Sequence, residues 1–197
     1  FADALCFAYE NDKGLRNVTI LHAELMGRSN ELLAFASNWE PFPYIETGPE
    51  VIEAPSPQGL EFYTKYTTTS GVIIVAGPDV PDEAILAGRR SLEYQLSARP
   101  DFHEILKDNL VRVSLFGPDG DSSVLPEYKD HGEIGGFAMM STDVSMTANA
   151  GWFCYEGNRD DSGDPLIHEM AHTLNHIVFE SINEIYFYEN IYKLAEE

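Results

Sequence analysis

Apolar positions in the middle of the chain follow two rhythms, and each predicts its own element. Val72 to Ala76 is an unbroken β-branched and apolar run between Gly71 and Gly77, the pattern of a strand buried on both faces. Pro81-Asp82-Glu83 then opens a helix, with proline and two acids where a first turn favours them. Ile85, Leu86, Leu92, Tyr94 and Leu96 give that helix a buried side. A second short helix follows Asp101 and carries Phe102, Ile105 and Leu106. Val111 to Phe116 alternates and predicts another strand, so the middle of the domain reads strand, helix, helix, strand.

Upstream, Val18 to Leu21 suits a strand, and Asn30 caps a short helix reaching Ala36. Residues 39–58 are rich in Pro, Gly and Glu and predict an extended connection. The chain therefore divides into residues 1–58, an N-terminal segment with its linker, and residues 59–197, the main domain. Residues 117–137 form a long Gly/Asp/Pro loop of the kind that is either functional or mobile. Ser141 to Tyr155 suits an irregular passage or an edge strand. Asp164 then predicts an N-cap and Pro165 a first helical position, for a helix running through His168 and His172 to about Phe179. From Ser181 onward the pattern is again helical and markedly aromatic.

That late helix carries the candidate chemistry. His168-Glu169-Met170-Ala171-His172 reads H-E-x-x-H. Histidines at i and i+4 share one helix face about a turn apart, so both imidazoles reach one zinc ion. The glutamate between them is then placed as general base for a zinc-activated water. The competing reading is an amphipathic helix with surface histidines. Leu166, Ile167, Met170, Ala171 and Leu174 surround the pair, however, and buried histidines beside a glutamate need a partner.

A catalytic zinc site needs a third protein ligand. His176 is a candidate, but on a straight helix it lies about 12 Å along the axis from His168, too far for one ion. Glu184 is a second candidate, twelve residues past His172, with Glu180 and Glu189 nearby. Each of these acids equally suits a solvated helix face.

Charge narrows the partners. The chain holds 33 acids against 12 bases, a net charge of −21. That excludes phosphate-clustering contacts to nucleic acid and attraction to an anionic membrane surface, and it favours solubility, cations or basic substrates. No apolar run approaches the ~20 residues of a membrane span. The start at Phe1, the sequon Asn17-Val18-Thr19 and two distant cysteines, Cys6 and Cys154, together predict a processed, secreted glycoprotein. The cysteines form either one long-range disulfide or two buried thiols. The acidic turns Asp119-Gly120-Asp121 and Asp160 to Asp164 offer oxygen ligands to calcium, though neither matches the EF-hand pattern.

The stretches Phe62-Tyr63-Thr64-Lys65-Tyr66, Val80-Pro81-Asp82-Glu83-Ala84 and Ala98-Arg99-Pro100-Asp101 resemble a family of secreted zincins related to the catalytic domain of anthrax lethal factor. The likeness continues through Val111-Arg112-Val113, Leu125-Pro126-Glu127-Tyr128, Gly135-Gly136 and Phe153-Cys154-Tyr155 to Leu166 through Thr173. It covers roughly residues 60–195. It implies an α+β, zincin-like fold: a small mixed sheet packed on helices, with the HExxH helix near the C-terminus. It also implies zinc at His168 and His172, Glu169 as base, and a third-ligand glutamate on a later helix. On that reading residues 59–197 lack their C-terminal part, and a further segment or a companion chain completes the site. The expected function is a secreted zinc metallopeptidase acting on peptides or proteins. The alternative is a non-catalytic binding or structural protein on a zincin scaffold with an incomplete metal site.

Overall fold

The computed structural model describes residues 41–120, 122–126, 145–158, 164–179 and 181–182. They form an α+β arrangement: one five-stranded mixed sheet and few helices. The strands are β1 (Ile52–Glu53), β2 (Lys65–Thr69), β3 (Val72–Ala76), β4 (Arg112–Phe116) and β5 (Ser145–Asn149), lying side by side in chain order. β1, β2 and β3 pair antiparallel, while β4 runs parallel to β3 and β5 parallel to β4. Helices α1 (Asp82–Leu96) and α2 (Phe102–Asp108) make the crossover from β3 to β4, as the apolar pattern predicts. Helix α3 (Pro165–Thr173) follows β5. The expected strands and helices upstream of residue 39, and the aromatic segment beyond Ile182, lie outside the described residues.

β3 explains the architecture. All five of its residues have no exposure, so both faces of the sheet must be covered. Val72, Ile74 and Ala76 join Val113, Leu115, Met146 and Ala148 on the helix side. There they meet Ala84, Ile85, Leu92, Leu96, Phe102, Leu106, Leu166 and Met170. The opposite face carries Ile73, Val75, Tyr66, Ser114 and Phe116, all buried. Phe42 and Tyr63 meet edge to face at 5.6 Å, and the Arg112 guanidinium stands over both rings at 5.3 and 5.8 Å.

Residues 42–56, part of the expected connection, are extended but docked. Thr47 and Thr68 exchange two bonds of 2.9 Å, each backbone N–H donating to the other's hydroxyl. The Thr68 hydroxyl is also 2.9 Å from the Ile45 carbonyl. The Tyr66 hydroxyl accepts from the Ile45 N–H and donates to the Pro43 carbonyl, both at 2.8 Å. A Pro-rich composition favours extended chain, and here polar groups of β2 give that chain partners.

β2 and β3 are joined by Ser70-Gly71, both left-handed, with φ of 51° and 80°. Such two-residue turns match the strand twist. A Cβ on Gly71 would lie 2.0 Å from the His103 carbonyl oxygen, so the turn also seats the start of α2. Gly71→Ala is expected to cost at least ~2 kcal/mol, strain and clash acting together, read as a lower urea midpoint.

Burial pushes the Tyr66 hydroxyl up to about 12, with Tyr44 and Glu46 adding to the shift and the Ile45 N–H opposing it. The unfolded phenol titrates near ~10, so the folded chain holds this proton more tightly. The resulting stabilisation is complete below pH ~10 and is lost as pH climbs through 12. Denaturation across alkaline pH should show that decline, and Tyr66→Phe should make it shallower.

Candidate functional site

Helix α3 starts where the sequence places it. Asp164 is extended, with φ −88° and ψ 113°, and its carboxylate accepts the Leu166 N–H at 2.9 Å. Pro165 occupies the first turn, where no N–H is needed. Leu166, Met170 and Thr173 are fully buried, whereas Ile167 is 57% exposed and Ala171 is exposed too. Residues advance about 100° each around an α-helix, which puts the motif on the flank between those two rows. Glu169, 1% exposed, lies at the buried margin, and His172 is half-buried. His168 holds the helix position one turn before His172.

A carboxylate taken out of water is retained only where a cation or polar partners compensate it. An ordinary surface helix would have no reason to bury Glu169. Two imidazole-bearing positions one turn apart supply two of the ligands that zinc takes, so the donor chemistry of this helix fits that ion. Among the described residues, no three of His, Cys, Asp or Glu come together as a metal-holding group.

The α-helical winding ends at Thr173, and Leu174–Phe179 is a π-helix. His176 therefore sits in wider winding, and the straight-helix spacing from His168 does not apply to it. Glu184, Glu180 and Glu189 lie outside the described residues, as do Cys6, the sequon at Asn17 and the acidic residues 160–163. Cys154 is an exposed free thiol, neither buried nor bridged. Asp164, counted among the calcium candidates, is engaged as the helix cap.

The elements around α3 explain its placement. The stretch expected as irregular or edge-strand contains β5, which packs under α3. From the end of that strand, Asn149 accepts the Gly151 N–H at 2.7 Å. Its amide donates to the carbonyls of Pro118 and Gly120 at 3.3 and 3.4 Å. Asn158 donates to the Gly151 and Phe153 carbonyls at 2.7 and 2.9 Å. These two asparagines brace the segment between β5 and α3. Sequence reasoning passed over them, and their only local signal is an Asn within two residues of a Gly in each turn.

Comparison with protein-family models, with curated proteins and with solved structures finds no match.

Asp164→Ala is expected to cost about 1 kcal/mol. The measurable sign is faster amide exchange at Leu166 together with a lower urea midpoint, while β2 and β3 keep their protection.

Proposed function

We propose that the protein is a secreted zinc-dependent peptidase on a zincin-like fold, akin to the catalytic domain of anthrax lethal factor. The observation that carries this reading is the buried carboxylate of Glu169 on the flank of a capped helix, beside His172. His168 and His172 would hold the ion, with a third ligand from a segment beyond the described residues or from a companion chain. Bound zinc supplies Lewis acidity, polarising the scissile carbonyl and activating water.

The chain's own groups do the rest. Glu169 accepts the proton of the attacking water and returns it to the leaving amine. Its near-complete burial keeps the carboxylate from bulk solvent, where competing water would weaken the proton transfer. The net charge of −21 favours encounter with cationic peptides over anionic ones.

The unsubstituted protein should hold one zinc per chain by elemental analysis and cleave a peptide library in a chelator-sensitive way. His172→Ala should lose the metal. Glu169→Gln should keep it while hydrolysis falls roughly 10²- to 10⁴-fold. A protein without zinc, or a fully active Glu169→Gln, would sink this reading.

A further inference from the structure

Gly88 stands in the middle of α1, is buried, and has ordinary helical backbone conformation. Glycine is a poor interior helix residue and alanine the best, so its presence calls for a reason of space rather than of backbone freedom. A Cβ built there would lie 3.3 Å from Leu166 Cδ1 and 3.5 and 3.7 Å from the Phe153 ring. Both neighbours belong to the proposed site's support. Leu166 is in the first turn of α3, two residues before His168. Phe153 lies in the segment braced by Asn158. Leu166 has no exposure and Phe153 has 2%, so neither can swing out into solvent, and the 3.3 Å contact is met by a shift within the core.

We infer that Gly88 is a positioning residue for the metal helix: its missing side chain sets how deeply the first turn of α3 seats against α1. This rests on the zinc reading above. A methyl group at position 88 pushes α3 outward by a few tenths of an ångström. The two histidines ride on α3, whereas a ligand from any other element does not. The separation between them therefore changes, and zinc coordination tolerates little such change.

The test separates affinity from stability. Gly88→Ala in the full chain should change the melting temperature little, the gain in helix propensity and the crowding at Leu166 offsetting each other. Its zinc affinity, measured by competition with a chromophoric chelator, should fall roughly tenfold, the scale typical of altered metal support. Adding Leu166→Val removes the atom nearest the new methyl. The double variant should melt lower than Gly88→Ala yet bind zinc more tightly, an inverse order that a purely structural role does not produce. Unchanged affinity in Gly88→Ala, or a loss that persists in the double variant, overturns the positioning role while the zinc reading stands. An unsubstituted protein that holds no zinc removes both.

Discussion

The complete burial of β3 is the constraint on which the other elements depend. Five consecutive apolar residues with no exposure leave no solvent-facing side to the sheet. One face is closed by α1, α2 and α3, and the other carries the aromatic pair Phe42 and Tyr63 with Arg112 over them. The docked Pro-rich segment follows from the same demand. Its backbone is fixed by the hydroxyls of Tyr66 and Thr68, because β2 has polar groups that must be satisfied out of water. The helix with the candidate chemistry is thus one wall of a core whose first purpose is to cover a strand.

Within that core, polar side chains are buried on β4, β5 and α3 and again along β2. Ser114, Thr147, Glu169 and Thr173 are at most 1% exposed, and Asn149 is 7% exposed. The Ser114 hydroxyl has no hydrogen-bond partner among the described residues. Structural economy alone would fill such places with valine or alanine, since a buried unsatisfied hydroxyl costs about 1–3 kcal/mol. Toward the other edge of the sheet Thr67 and Thr68 of β2 are matched to Thr47, and Thr69 donates to Glu93.

What was legible in the sequence followed from local rules. The run Val72 to Ala76, the acids after Pro81 and the cap at Asp164 each act within one turn or one strand, and each element stands where its pattern puts it. The motif helix was legible for the same reason. β2 was not, because Lys65-Tyr66-Thr67-Thr68-Thr69 is a polar strand whose hydroxyls find partners far along the chain, at Pro43, Ile45 and Thr47. β5 was equally obscure: Ser145 to Asn149 has weak alternation, and its place is fixed by parallel pairing with β4. Residues 42–56 are extended, as their composition suggests, but their docking was not legible, since composition reports chain stiffness and not the hydroxyls of another strand. The tight contact that a side chain at Gly88 would make with Leu166 is likewise a tertiary fact.

The change of winding at Leu174 bears on how this chain can vary over time. A π turn holds one residue more than the α turn it replaces, as if a codon had been inserted into an older helix. Losing a single codon between Leu174 and Phe179 would restore α winding while the side chains from Asp164 to Thr173 kept their positions. A helical wheel drawn straight through both would assign the later residues to the wrong side.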